Sequence, residues 1–203
     1  GGVLCADTAE ACGLEMVTLR KQTSDIIAEN IPPFGSPFNP VDITAQAINT
    51  AEGFSNVIQA MLADPGVDAL VVVITMIVGE PGMRMAADLA RIRAETEKPV
   101  VVAWTAGEKL MEAQFDLLRR ANVPLYQSPV RAVEALAKLM DYGCACRRVE
   151  EAGRAGREAR PAEIPEAALE MIAGAEGALT ERESKELLRA FGISTSAEKL
   201  ART

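Results

Sequence analysis

Asp68-Ala-Leu-Val-Val-Val-Ile-Thr75 and Pro99-Val-Val-Val-Ala-Trp104 are the stretches that decide the fold. Each is a continuous, mostly β-branched apolar run, the pattern of a strand covered on both faces rather than one with a wet side. Between them Gly79-Glu-Pro-Gly82 is expected to break the first strand, with a helix from Met83 to Thr96 after it. Working outward, a helix over Lys109 to Ala121 leads to a short strand Val123-Pro-Leu-Tyr126 and a helix from Pro129 to Tyr142. Strands alternating with helices of ten or more residues predict a parallel sheet, right-handed crossovers and helices on both faces.

Upstream, Val3 to Cys12 reads as a helix stopped by Gly13, and Leu19 to Ile31 as an amphipathic helix ended by Pro32-Pro33. The proline-rich run Pro33 to Pro40 excludes helix and delivers the chain to a short extended piece, Val41-Asp42-Ile43. A helix from about Ala51 to Leu62 follows. A strand is expected ahead of the first helix, and none is present in the sequence. The predicted class is α/β, a three-layer αβα arrangement with a parallel sheet whose first strand is missing.

Downstream, residues 144–161 turn charged, with Arg147, Arg148, Arg154, Arg157 and Arg160 among glutamates, and read as a linker. Interleaved charge of this kind favours a solvated helix or tether over an anion site. Residues 162–203 hold two helical patterns, Ile164 to Ile172 and Thr180 to Phe191, closed by Gly174 and Gly192. Thr180-Glu-Arg-Glu183 has the spacing of a capping box. A tail of this size has no strand and little core of its own, so it reads as the start of something longer.

Composition narrows the function. The chain has 203 residues, 21 Lys plus Arg against 29 Asp plus Glu, and a net charge of −8, which disfavours nucleic acid and anionic lipid as partners. No apolar run approaches the ~18 residues of a membrane helix and no leader pattern is visible, so the expected location is cytoplasmic. The four cysteines, Cys5, Cys12, Cys144 and Cys146, have neither metal-ligand spacing nor disulfide-framework density and read as free thiols. The sequence contains no histidine, which excludes within this chain a histidine base, a Ser-His-Asp triad, a histidine-ligated metal and a phosphohistidine.

Ligands of open α/β sheets bind at the carboxyl ends of the strands, so the candidates are loops there. Gly1-Gly2-Val3, opening a helix, suits an anion held by unpaired backbone N–H groups, and a flexible end is the alternative. Asn39 and Asp42 lie in the second loop, where an Asx residue beside proline can equally close its own turn. The third loop is Thr75-Met76-Ile77-Val78-Gly79-Glu80. Its apolar residues suit an acyl or pantetheine tail, or else continue the core strand. Trp104 is read either as a pocket wall or as core. A fourth loop, Thr105-Ala-Gly-Glu108, follows it.

Five segments occur in order: Gly1-Gly-Val-Leu-Cys-Ala-Asp7, Phe38-Asn-Pro-Val-Asp-Ile-Thr44, Leu62-Ala-Asp-Pro-Gly-Val-Asp68, Lys98-Pro-Val-Val-Val-Ala-Trp104 and Leu179-Thr-Glu-Arg-Glu-Ser-Lys-Glu-Leu-Leu188. Together they resemble the ADP-forming acyl-CoA synthetases, relatives of succinyl-CoA synthetase, over nearly the whole chain. The resemblance implies that acid, CoA and ATP give acyl-CoA, ADP and phosphate through an acyl-phosphate and a phosphohistidine. By it, residues 1–143 correspond to the flavodoxin-like ligase domain, and 162–203 to the incomplete start of an ATP-grasp domain. Gly1, Gly2 and Val3 would hold the phosphoryl group of a phosphohistidine carried by another domain. Asn39, Asp42 and residues Thr75 to Glu80 would lie near the acid. No catalytic side chain, metal or cofactor is assigned to this chain; ATP, Mg and CoA belong to the complete enzyme. The implied partners are its CoA-binding, phosphohistidine and ATP-grasp domains and a small carboxylic acid, with homo-oligomerisation open. The isolated chain is expected to be inactive. The rival reading is a non-catalytic flavodoxin-like ligand-binding or regulatory module. Against it, the strand ending at Thr75 carries no acidic phospho-acceptor, and no G-x-G-x-x-G follows a strand.

Overall fold

A computed structural model describes residues 1–46, 52–158, 164–175 and 177–197, with side chains of 155–158 left aside. The chain divides into two compact units, Gly1–Cys146 and Arg147–Thr203.

The first unit is built on a three-stranded parallel sheet in the order β1 (Leu70–Thr75), β2 (Val100–Thr105), β3 (Leu125–Tyr126). Its register pairs Leu70 with Val100 and Thr75 with Thr105. Helices α1 (Gly2–Ala11), α2 (Lys21–Asn30) and α3 (Gly53–Ala63) precede β1. Then α4 (Gly79–Glu95), α5 (Glu112–Arg120) and α6 (Pro129–Glu158) alternate with the strands.

Alternation along β1 makes the layers. Leu70, Val72 and Ile74 face a large cluster with Phe54, Val57 and Ile58 of α3, Met85, Ala86, Leu89 and Ile92 of α4, and Phe115 and Leu118 of α5. Val71 and Val73 face the other way, onto Cys5 and Ala9 of α1 and Val133 of α6, while Val101 and Ala103 of β2 meet Ala132 and Leu136. This is the expected flavodoxin-like α/β class, with helices on both faces of a parallel sheet.

Gly13 adopts φ +74° and so ends α1, as its position predicts. Several boundaries depart from the sequence reading. The expected break at Gly79-Glu-Pro-Gly82 does not end β1, which stops at Thr75 where Met76 turns at φ +56°; Gly79 to Gly82 instead open α4, which starts at Gly79 rather than Met83. Pro81 is tolerated there because the first turn of a helix has no use for its missing N–H. Likewise α6 does not stop at Tyr142 but continues through Gly143 to Glu158. The Ala-, Arg- and Glu-rich composition of that stretch outweighs the penalty of about 1 kcal/mol for each interior glycine. The 109–121 pattern becomes one 3-10 turn, Glu108–Leu110, followed by α5. The extended piece at Asp42 is a single antiparallel bridge to Ser36, and the expected helix start at Ala51 falls outside the described residues.

In the second unit, α7 (Glu166–Ala173) ends at Gly174 and α8 (Glu181–Ala190) is followed by Gly192 at φ +75°. The capping box forms: Thr180 Oγ1 accepts from the Glu183 N–H, and Glu183 Oε2 accepts from the Thr180 N–H at 2.7 Å. Among the described residues, no helix is long and apolar enough to cross a membrane.

Candidate functional site

Three of the four candidate loops meet on one cavity of about 1040 Å³ in the first unit, while none of Thr105, Ala106, Gly107 and Glu108 lines it. Gly1, Gly2, Val3, Asn39, Asp42, Thr75, Met76, Ile77 and Val78 all line it, together with Pro40 and Pro81. Gly79 and Glu80 follow directly in the first turn of α4, and both are exposed.

Helix α1 begins with Gly1 as its N-cap, and no side chain caps it. No acidic residue lies in its first turn, where the N–H groups have no partner within the helix and the dipole has its positive end. The position of this turn is fixed by a close approach. A Cβ built on Gly1 would lie 2.7 Å from Cγ1 of Val73 and 4.0 Å from Oγ1 of Thr75. Only a residue without a side chain lets α1 start against the carboxyl end of β1. Helix α4 also starts here without a side-chain cap, from Val78, so two helix N-termini open at the same strand end.

The loop between β1 and α4 is held from below. Met76 leaves the strand at φ +56°, which breaks the pleat and leaves its side chain 68% exposed, while Gly79 turns at φ +65° into the helix. Ile77 turns inward, packing on the main core, and its carbonyl accepts from Trp104 Nε1 at 3.1 Å. Trp104 is therefore core, fully buried and edge-on to Phe115 at 6.2 Å, and it serves the site by supporting the loop. Gln114, 6% exposed, donates to the Gly79 carbonyl at 3.1 Å. That role was not read from the sequence. Its signal is a polar residue within the buried stripe Met111, Gln114, Phe115, Leu118 of an amphipathic helix.

Asn39 and Asp42 reach the cavity with their side chains already employed. Asn39 Nδ2 donates to the Val17 carbonyl at 3.1 Å, and Asp42 Oδ1 accepts from the Thr44 N–H at 2.9 Å in an Asx turn. Cys5 also borders the cavity. Burial pushes its thiol above the ordinary range, so it stays protonated near neutrality. All four cysteines are free thiols, as read. Among the described residues, no group of three or more His, Cys, Asp and Glu side chains is placed to hold a metal ion.

Helix N-termini at the strand ends of a parallel α/β unit are positions where such domains can take an anion. Residues 1–147 match the model of the Ligase-CoA domain, and the chain belongs to that family. Over 143 residues it is 33% identical to the alpha subunit of acetate–CoA ligase [ADP-forming] I of Pyrococcus furiosus, covering 70% of this chain and 30% of the relative. Over 203 residues it is 29% identical to acetate–CoA ligase [ADP-forming] I of Archaeoglobus fulgidus, covering 99% of this chain and 28% of the relative. Among solved structures it resembles a dinucleotide-forming acetyl-coenzyme A synthetase 1 of Candidatus Korarchaeum cryptofilum in complex with phosphate and ADP. There the TM-score is 0.63 with 26% identity, over 74% of this chain and 32% of that one. The chain thus spans between a quarter and a third of the length of the curated relatives it matches.

Proposed function

We propose that this chain is part of an ADP-forming acyl-CoA synthetase, an acid–thiol ligase that converts a carboxylic acid, CoA and ATP to acyl-CoA, ADP and phosphate. Residues 1–143 are its flavodoxin-like ligase domain, 144–161 a connection, and 162–203 the beginning of an ATP-grasp region. Similarity to the Archaeoglobus fulgidus ligase running over 99% of the chain supports including the tail.

The observation that carries the reading is the bare start of α1, uncapped and seated against Val73 and Thr75 at the carboxyl end of β1. In this reading the amides of Gly1, Gly2 and Val3 hold the phosphoryl group of a phosphohistidine that another domain presents. The sequence has no histidine, so that residue must come from elsewhere in the enzyme. No acid or base is needed from this chain, because fixed N–H groups and a helix dipole stabilise a transferring phosphoryl group by position and electrostatics. The loop Thr75 to Glu80, with exposed Met76, borders the acid and acyl-phosphate, and Asn39 and Asp42 shape the neighbouring wall. Their side chains are committed to Val17 and Thr44, so their part is to hold the loop. ATP, Mg and CoA are bound by the remaining domains. The exposed apolar side chains of Val3 and Met76, at 70% and 68%, offer those domains a surface to close against.

A test is turnover by a full-length polypeptide carrying this span, followed as thioester and ADP formed from small carboxylic acids, CoA and ATP. Acid-dependent formation of both products is expected from it, and none from residues 1–203 alone. Absence of thioester with every acid tried, or turnover by the isolated span, contradicts the proposal.

A further inference from the structure

Gln114 stands where the fold asks for an apolar side chain. It belongs to the buried stripe Met111, Gln114, Phe115 and Leu118 and is 6% exposed. An amide placed there loses its water, and one hydrogen bond returns only part of that cost, so methionine or leucine would serve the core better. Its partner accounts for the polar group. Nε2 donates to the Gly79 carbonyl at 3.1 Å, 35 residues back along the chain.

Gly79 is the point at which the loop between β1 and α4 is least constrained by packing. Its φ of +65° is open to glycine, but so are several other conformations, and a Cβ built on it would meet no atom of another part of the fold within 4 Å. On either side the chain is anchored. Ile77 packs on the main core, and its carbonyl accepts from Trp104 Nε1 at 3.1 Å. A Cβ on Gly82 would lie 3.2 Å from the Ile77 carbonyl oxygen, 3.4 Å from Cζ2 of Trp104 and 3.5 Å from Cε of Met111, so Gly82 is seated on the core as well. Between these anchors run Val78, Gly79, Glu80 and Pro81, the first three exposed. The bond from Gln114 falls within that span.

We infer that Gln114 is a positioning residue for the acid, acting through the Gly79 carbonyl to fix the turn that presents Val78, Glu80 and the start of α4. This rests on the reading that residues 75–80 border the acid. Without the donor, Gly79 samples several turns, and the arrangement that receives the acid is populated for only part of the time. Apparent affinity falls by that fraction. The loss falls on the acid alone, because CoA and ATP are bound by the remaining domains.

The test compares wild type with Gln114→Met and Gln114→Glu in the full-length polypeptide. Methionine keeps the length of the side chain, lacks the donor and suits the core, so that variant should fold with a melting temperature unchanged or raised. KM is measured for a small carboxylic acid, for CoA and for ATP. Hydrogen exchange is followed at the Met83 amide, whose regular helical partner is the Gly79 carbonyl. In Gln114→Met the KM for the acid should rise about tenfold with those for CoA and ATP nearly constant, and Met83 should exchange about fivefold to tenfold faster while Leu89 does not change. Gln114→Glu, of the same shape but with an acceptor turned on the carbonyl, should change the same readouts at least as much. Equal changes in all three constants would mark a purely structural role, and an unchanged acid KM or an unchanged Met83 would show the turn held without Gln114. Each overturns the inference and leaves the proposed reaction standing. A wild type with no acid-dependent turnover overturns both.

Discussion

Gly1 and Val73 stand so close that a single added carbon on Gly1 would lie 2.7 Å from the valine's Cγ1. The contact ties the first turn of α1 to the carboxyl end of β1. At Gly2 the same added carbon would meet Pro40 alone, its Cβ at 3.4 Å and its Cγ at 3.9 Å, which is ordinary contact. Gly1→Ala is therefore expected to displace the helix start while Gly2→Ala leaves it in place. In a full-length enzyme, Gly1→Ala should lower turnover by on the order of tenfold to a hundredfold, the scale of sub-ångström to ångström misplacement of a catalytic group. Gly2→Ala should have a much smaller effect. Steady-state kinetics of the two variants, with circular dichroism to confirm folding, check the ordering; equal losses would contradict it.

Trp104 joins the core to the site loop through its bond to the Ile77 carbonyl. Trp104→Phe keeps an aromatic ring against Phe115 but leaves that carbonyl without the donor. The expected cost is about 1–3 kcal/mol, read from denaturant unfolding. Unchanged stability would mean that the loop is held by other contacts.

Asp64 is 2% exposed and accepts from the Arg20 N–H at 2.9 Å, Thr23 Oγ1 at 2.8 Å and the Gly66 N–H at 2.9 Å. The Arg20 N–H, then the Gly66 N–H and Thr23 hydroxyl, hold its carboxyl below the ordinary aspartate range against the opposing effect of burial. A folded-state value below the unfolded one stabilises the fold fully above the unfolded aspartate range, and that contribution is lost as pH falls through the folded value. The Tm gap between wild type and Asp64→Asn should thus be widest at neutral pH and narrow in acid. A gap constant with pH would contradict this account of Asp64.

Thr180 caps α8 through the reciprocal bonds with Glu183. Thr180→Ala should cost α8 about 1 kcal/mol. Amide protection in α8 should fall about fivefold by the same conversion, while β1 and β2 keep theirs. A change confined to the sheet would be inconsistent with the two-unit division.

The sequence revealed those features that rest on local pattern. Continuous valine-rich runs marked β1 and β2, glycines marked the ends of α1, α7 and α8, and the Thr180–Glu183 spacing marked a cap. What depended on tertiary support was hidden. The Gly79–Gly82 run reads as a breaker because Gly and Pro disfavour helix interiors, and nothing local shows that Pro81 falls in a first turn. Gly143 reads as a stop because the apolar pattern ends there, yet Ala, Arg and Glu sustain helix without a buried face. At the site, the glycines of α1 were visible as a helix start, but their seat against Val73 needs a contact over 70 residues of chain. Gln114 and the committed side chains of Asn39 and Asp42 likewise follow from partners distant in sequence.

The central claim is that the start of α1 is a phosphate cradle. A structure of the full-length polypeptide with bound phosphate tests it most directly. Phosphate oxygens within hydrogen-bonding distance of the amides of Gly1, Gly2 and Val3 are predicted. Phosphate bound elsewhere, with that turn closed by a side chain of another domain, would contradict it.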